Sequence, residues 1–432
     1  MNVCVVALGK IGLPLAVQFA TSGMSVIGAD VNEATIDLIN AGTPPFPGEA
    51  NLDGLLRAAI ESGRFSATTD TTAAVATADV VVVVVPLIVD ESKAADFVAL
   101  DAATVAIAAG LAPGALVIYE TTLPVGTTRN RFAPMLAAGS GLTLGTDLFV
   151  AFSPERVYSG RVFADLRKYP KLVGGIDDTS TDKAVAFYSQ GLQFDPRPDL
   201  AQPNGVWNIG TSAAAELAKL AETTYRDINI AFANELAKFS DRNGIDVVQV
   251  IDACNSQPFS HIHRPGIAVG GHCIPVYPQF YLSGDPDAVL PAASRAVNET
   301  MPEYAIDKLE RSIGDLSGKR IAVLGAAYRG GVLETAFSGV FPIVAGLSAR
   351  GAKVSVHDPL YTDGQIVAMG FDVYHLGEPA DAAIVQAEHV EYHHLTPADL
   401  GGATTLVDGR RCVAPHPGLD IITIGDGSRL MR

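Results

Sequence analysis

Basic charge is scarce in this chain, where 30 Lys and Arg stand against 47 Asp and Glu for a formal net charge of −17. A role built on attraction to a phosphate backbone or an anionic membrane needs a basic footprint, so neither nucleic acid nor membrane is an expected partner. Positive charge, where it is used, must be local. Cysteine is scarce as well: Cys4, Cys254, Cys273 and Cys412 lie far apart. They form neither a metal-ligand spacing nor a disulfide framework, so no metal is expected and a reducing cytoplasm is the consistent location. The longest apolar run, Val80 to Val89, is bounded by Asp79 and Asp90 and falls far short of the roughly 20 residues of a membrane span. It reads as a buried parallel strand. The opening Met1-Asn2-Val3-Cys4-Val5-Val6 enters a strand pattern at once and lacks the basic start and cleavage site of a signal peptide, so export is not expected.

Aromatics are few, at 7%, whereas glycine (42 residues) and alanine are plentiful, which suits helix-on-sheet packing with close backbone approach. At 432 residues the chain is too long for one core and fits two or three domains. Short β-branched runs alternate with Ala-rich stretches: Val3–Leu8, Ser25–Ala29, Val80–Val85, Leu116–Tyr119, Leu148–Phe152 and Lys171–Gly174. That alternation predicts a doubly wound parallel sheet, an α/β fold. At its start, Val5-Val6-Ala7-Leu8-Gly9-Lys10-Ile11-Gly12 has the strand, turn, helix order of a dinucleotide fingerprint. Ala7 replaces the first of its three glycines. Asp30, about 20 residues on, is placed to accept from a ribose 2′-hydroxyl and would repel a 2′-phosphate, which favours NAD over NADP.

From Thr211 to Asn243 the pattern is uninterrupted helix, longer than the usual globular helix of about 8–20 residues, and such a helix links domains or builds a dimer. Glu216, Lys219, Thr223, Arg226 and Asp227 recur at three- and four-residue steps, either as a solvated face or as a row of groups lining a cleft. After Gly318 a second strand, turn, helix and strand pattern begins at Lys319-Arg320-Ile321-Ala322-Val323-Leu324-Gly325 and reaches Asp358, in the place Asp30 holds in the first. Thr404–Asp408 supplies a further strand, and Ser428–Arg432 reads as a loose tail.

Cys273 stands in Gly270-Gly271-His272-Cys273-Ile274-Pro275. A lone cysteine is ordinarily a small buried residue. One delivered by a glycine-rich loop in a chain with a nucleotide fingerprint can instead hold an aldehyde covalently, taking an alcohol through a thiohemiacetal and a thioester to an acid.

The chain resembles the UDP-glucose/GDP-mannose dehydrogenase family over nearly its whole length. The resemblance is carried by Glu120-Thr121-Thr122-Leu123-Pro124-Val125-Gly126-Thr127, by Phe152-Ser153-Pro154-Glu155-Arg156, and by Ala215-Glu216-Leu217-Ala218-Lys219-Leu220. Tyr225-Arg226-Asp227-Ile228-Asn229 through Asn234-Glu235 and Gly270-Gly271-His272-Cys273 complete it. It implies two Rossmann-like domains joined by a helical middle: an NAD domain over 1–205, a dimer-forming helical domain over 206–300, and a sugar-nucleotide domain over 316–432. Members oxidise the C6 alcohol of a nucleotide hexose to a carboxylate with two NAD. By motif position Cys273 is the nucleophile, Glu155 the general base for thioester hydrolysis, Lys219 the oxyanion partner, and Thr122 positions water or the reacting oxygen. The cofactor is expected at Gly9, Lys10, Ile11, Gly12, Asp30, Pro86 and Thr122. The substrate is expected at Glu155, Arg156, Lys219, Arg264, Gly270, Gly271 and Arg329, with Arg264 and Arg329 on the diphosphate. His272 is read as structural. Glu155 has an alternative as a surface ion pair with Arg156, and Lys219 as a solvated helix lysine.

Several positions depart from the family pattern. Thr223 stands for its Asn, Tyr277 for an Asp, Arg329 for a Lys, Ala336 and Phe259 for arginines, and Leu87 for a Thr. Gly-Gly-His-Cys resembles the branch acting on UDP-N-acetylhexosamines more than the Gly-Gly-Ser-Cys of UDP-glucose enzymes, with UDP- or TDP-glucose as the other substrates considered. Two other functions stay open at this stage: a two-electron hydroxyacid dehydrogenase, in which Cys273 is incidental, and a sugar-nucleotide-binding protein without turnover.

Overall fold

The computed structural model describes residues 1–90, 92–158 and 160–427; the tail read at Ser428–Arg432 lies outside the described residues. The chain divides into two compact units, Met1–Ala221 and Glu222–Arg432. In the first, the strands are β1 (Asn2–Val6), β2 (Ser25–Ala29), β3 (Phe65–Thr68), β4 (Val80–Val83), a small hairpin of β5 (Ile88–Val89) and β6 (Ala95–Asp96), then β7 (Ala115–Tyr119), β8 (Leu148–Phe152), β9 (Lys171–Gly175) and β10 (Val206–Thr211). Eight of them form one sheet in the order β10-β9-β8-β7-β4-β1-β2-β3. The interior strands are apolar on both faces because helices cover both sides, and β4, β7 and β8 are buried along their whole length.

Two details differ from the sequence-based expectation. The apolar run Val80–Val89 is not one strand: β4 ends at Val83, and Ile88, 55% exposed, belongs to the antiparallel hairpin with β6. Pro86, which has no N–H to donate to a ladder, stands between the two. Nor is the sheet wholly parallel, because β9 runs antiparallel to β8, with Phe152 opposite Gly174 and Ala151 opposite Gly175. That reversal brings the first residue of β9, Lys171, to the carboxyl end of β8.

The helix Ser212–Asn243, 32 residues long, follows β10 directly. It agrees with the predicted helix to within one residue, because no Gly or Pro interrupts it. The second unit holds a six-stranded parallel sheet of β11 (Arg320–Leu324), β12 (Lys353–His357), β13 (Asp372–Val373), β14 (Ala382–Val385), β15 (Thr405–Asp408) and β16 (Asp420–Thr423), in the order β13-β12-β11-β14-β15-β16. This is the doubly wound 3-2-1-4-5-6 order, whose ligand crevice lies at the carboxyl ends of the strands where the order reverses. Each unit has its own core. Leu8, Leu13, Phe19, Val82, Ile118 and Phe187 build the first, and Ile306, Leu309, Ile321, Val323, Ile343 and Ile384 the second.

Candidate active site

The first turn is built for a close ligand. Ala7 follows β1 in the left-handed region at φ 76°, doing the work of the missing glycine, and its N–H donates to Ala29 at 2.8 Å. Gly12 is compulsory, since a Cβ there would sit 1.9 Å from the Ala7 carbonyl oxygen. At Gly9 the situation is the reverse: a Cβ would meet nothing within 4 Å, so the backbone is open to an approaching group. The helix Gly12–Thr21 begins without a side-chain cap at Ile11, so no side chain stands between its positive end and an anion. Asp30 accepts one backbone N–H on each oxygen, from Leu8 at 2.8 Å and Asn32 at 3.0 Å, and each oxygen keeps acceptor capacity for a ribose hydroxyl. These residues fit a dinucleotide. Lys10 and Pro86 are exposed around this turn, Ile11 is half-buried, and Thr122 is buried just beyond β7.

The corresponding turn of the second unit is closed. A Cβ on Gly325 would meet Ala387 at 2.5 Å, and the N–H groups of Ala326 and Ala327 both donate to Asp358, at 2.8 and 3.0 Å. Asp358 also pairs with buried His389 at 3.1 Å. Its oxygens are spent on protein, so the likeness of Asp358 to Asp30 is one of position rather than of availability.

At the carboxyl ends of β7 and β8 the first unit gathers a charged cluster. Lys171 Nζ lies 2.7 Å from Glu120 Oε2 and 2.8 Å from Glu155 Oε2. The Tyr188 hydroxyl donates to the other oxygen of Glu120, and its ring lies 4.8 Å from the ammonium. Glu155 Oε1 accepts the Arg156 backbone N–H at 2.7 Å, and its carbonyl oxygen accepts from Lys219 Nζ at 2.7 Å. The surface ion pair of Glu155 with Arg156 is therefore replaced by a bond to Lys171, and the Arg156 guanidinium donates instead to the Pro170 carbonyl at 3.2 Å. Lys219 is not a merely solvated lysine, because its ammonium is fastened to the Ser-Pro-Glu-Arg segment. Burial, opposed by Lys171, pushes Glu120 up to about 7. Burial also works to raise Glu155, but the Lys171 ammonium outweighs it and holds that carboxyl below its ordinary value.

The polar stripe on the long helix is buried at several of its positions. Glu216 is fully buried and accepts from the N–H groups of Gly126 and Thr128 and from the Thr128 hydroxyl. In the second unit, Asp227 receives Arg295 Nε at 2.8 Å and Asn298 Nδ2 at 2.8 Å. Asn234 donates to Asn298 at 2.9 Å and accepts from Gly266 N at 3.0 Å, which ties the helix to the segment leading to Cys273.

Cys273 is exposed, so its reading as one more buried small residue does not hold. Its carbonyl accepts from Val276 and Tyr277 at 3.3 and 2.9 Å as the helix Tyr277–Gly284 begins. The two glycines before it are required by packing. A Cβ on Gly270 would lie 2.7 Å from Tyr328 Cβ and 2.8 Å from the Phe337 oxygen, and Gly271, at φ 87°, faces the Tyr328 ring. His272 pairs with Glu334 at 2.8 Å. Arg329 Nε donates to the Tyr328 hydroxyl at 3.1 Å, so it stands beside the residue that packs on both glycines. Arg264 pairs with Asp252. Arg410, missed in the sequence, reaches the carbonyls of Gln386, Ala268 and Tyr328 at 2.7, 3.3 and 3.1 Å. Among the departures, Leu87 is buried, Phe259 is 92% exposed, and Tyr277 stacks on Phe280.

Three family domains match in order: the NAD binding domain at residues 1–191, the central domain at 213–299 and the UDP binding domain at 322–415. The chain belongs to the UDP-glucose/GDP-mannose dehydrogenase family. It is an NAD-dependent oxidoreductase with a domain for a nucleotide-sugar substrate. The UDP-N-acetyl-D-mannosamine dehydrogenase of Pyrococcus horikoshii is 33% identical to it over 427 residues, 96% of this chain and 97% of that protein. The solved structure of the same enzyme superposes with a TM-score of 0.87 at 31% identity, covering 99% of this chain and 100% of that one. A UDP-glucose dehydrogenase from Pyrobaculum islandicum superposes at 0.82 with 28% identity, covering 95% and 94%. No helix of the described residues is long and apolar enough to cross a membrane, and no group of three His, Cys, Asp or Glu among them could hold a metal ion.

Proposed function

We propose that this family member carries out the four-electron oxidation of the hexose C6 alcohol of a UDP-N-acetylhexosamine, UDP-N-acetyl-D-mannosamine first, to the uronic acid. The observation that carries the reading is the exposed thiol of Cys273 on a loop whose glycines admit no side chain. The relative from P. horikoshii, named for that substrate, and the Gly-Gly-His-Cys form of the loop favour it over UDP- or TDP-glucose. NAD, held by the Gly9 turn and Asp30, would supply the hydride acceptor, one molecule for each of the two oxidations. Cys273 Sγ adds to the C6 aldehyde to give a thiohemiacetal, and loss of the second hydride leaves a thioester. Glu155 then takes a proton from water while the water oxygen adds to the thioester carbon. Lys219 and Thr223 stabilise the oxyanion, and collapse expels the Cys273 thiolate. Thr122 positions the reacting oxygen, while Arg156, Gly270 and Gly271 line the substrate and Arg264 and Arg329 take the diphosphate.

The same reading assigns the NAD domain to 1–205, the helical domain to 206–300 and the sugar-nucleotide domain to 316–432, and places the enzyme in the cytoplasm, in polysaccharide biosynthesis. The long helix builds a homodimer. Tyr225, Phe232 and Phe239 recur every seven residues along it and are 54, 52 and 55% exposed, an apolar stripe that a second copy would cover.

The test is a panel of nucleotide sugars with NADH counted per sugar consumed. A ratio near two with UDP-N-acetyl-D-mannosamine, abolished by Cys273→Ser, is expected. A ratio of one that survives Cys273→Ala would move the assignment to a two-electron dehydrogenase, and no NADH from any sugar would leave a binding protein.

A further inference from the structure

The cluster around Lys171 is more than a proton acceptor needs for its own folding. A lysine and a glutamate are 4% and 1% exposed here, although such residues are almost never buried and apolar replacements of similar volume are often equally stable. Two carboxylates share one ammonium, which leaves an excess negative charge in a low-dielectric region. Such a pair holds its ionisations apart, so that one member binds a proton while the other stays charged.

The topology decides which is which. Glu120 follows β7, sealed under the Tyr188 hydroxyl, whereas Glu155 follows β8 and its side chain is 11% exposed. Lys171 reaches both only because β9 reverses direction. The charged and titratable groups facing Glu155 are Lys171, Glu120, Tyr188 beyond Glu120, the Arg156 main chain and Lys219 at the carbonyl.

We propose that Glu120, Lys171 and Tyr188 form a positioning device that aims the Glu155 carboxylate and governs the pH at which it can take a proton. Lys171 supplies the opposite charge that keeps Glu155 ionised, Glu120 holds the proton and so leaves that ammonium to Glu155, and Tyr188 fixes Glu120. The directions of the two carboxyls, Glu120 up to about 7 and Glu155 down, agree with this division. The inference rests on the base role proposed for Glu155.

The experiment is the pH profile of kcat for UDP-N-acetyl-D-mannosamine in the wild type and in Glu120→Gln, Lys171→Met, Lys171→Arg and Glu155→Gln. Because Glu155 works ionised, the rate falls as pH drops through its pKa. Removing the cation raises that pKa, so Lys171→Met moves the acid limb to higher pH by about one unit or more. Glu120 already carries its proton over that limb, so Glu120→Gln leaves the limb in place, and Lys171→Arg restores the wild-type limb. An upward shift in Lys171→Met that Lys171→Arg reverses is the expected result, and a scaffold residue would not produce it. An unmoved limb in Lys171→Met, or a moved one in Glu120→Gln, overturns the proposal. Where Lys171→Met does not fold, an infrared titration of the Glu120 carboxyl decides the question.

Glu155→Gln separates the two readings. Wild-type turnover there removes the base role itself, whereas an adduct accumulating on Cys273 with an unmoved limb in Lys171→Met removes only the positioning device. A measurement on the unliganded protein needs no turnover: an infrared carboxylic-acid band that titrates near pH 7 is expected and should vanish in Glu120→Gln. Its absence from the wild type overturns the proposal.

Discussion

At the scale of single residues, the least expected feature is Ala7, a Cβ-bearing residue at φ 76° where the fingerprint calls for glycine. The left-handed region costs an L-residue about 1–2 kcal/mol, only partly offset by the greater chain entropy that glycine would lose. Ala7→Gly is therefore expected to stabilise the first unit by roughly 0.5–1 kcal/mol, read as a rise of about 2–3 °C in a thermal melt. For Glu155→Gln, removal of a general base predicts a deacylation slowed by about 10²–10⁴ and a sugar adduct on Cys273 visible by intact mass. Glu120 carries a stability prediction as well. Its folded pKa of about 7 lies above the ordinary 4.5, so the stability it contributes is fully present below 4.5 and is lost as pH rises through about 7. The advantage of the wild type over Glu120→Gln in thermal melts should thus shrink between mildly acidic and mildly alkaline pH.

At the scale of elements, the strands and the long helix were legible because their patterns are strong. Ser25–Ala29 and Leu148–Phe152 are found at the expected residues, and Gly and Pro are absent from the long helix. The direction of β9 was not legible, since a short apolar run looks the same in either orientation. For that reason Lys171, Glu120 and Tyr188 went unnoticed beside Glu155, although Glu120 stood inside a quoted motif. The buried chain Asp227, Arg295, Asn298 and Asn234 was half visible: Asp227 belongs to the polar stripe, but its partners come from a helix some 70 residues away in sequence. Arg295→Ala leaves Asp227 as a buried charge without its ion-pair partner and should cost about 3–5 kcal/mol, checked by denaturant unfolding of the second unit.

At the scale of the whole molecule, each compact unit encloses its own core and presents one nucleotide-type sheet. Ligand protection should follow that division. In hydrogen exchange, NAD is expected to protect the turn around Gly9 and Gly12 in the first unit, and UDP to protect peptides of the second. Protection of the Gly325 turn by NAD would contradict the closed geometry there. The proposed homodimer predicts that Phe232→Glu combined with Phe239→Glu gives a monomer by light scattering, since two carboxylates in an apolar contact are left without partners.

What the amino-acid order determined by itself is whatever depends on local pattern: the alternation that makes two nucleotide-type sheets, the open Gly9 turn with Asp30 at the end of the second strand, the uninterrupted helix, and the thiol on a glycine loop. What only the tertiary structure decided is what depends on direction and long-range contact. The reversal of one strand sets Lys171 between two carboxylates, and Asp358 takes the N–H groups of both Ala326 and Ala327, where its counterpart Asp30 takes only that of Leu8 from its turn. Periodicity carries the first kind of information because it is read within a few residues. The second kind is decided by the packing free energy of segments far apart in the chain, which no local pattern records.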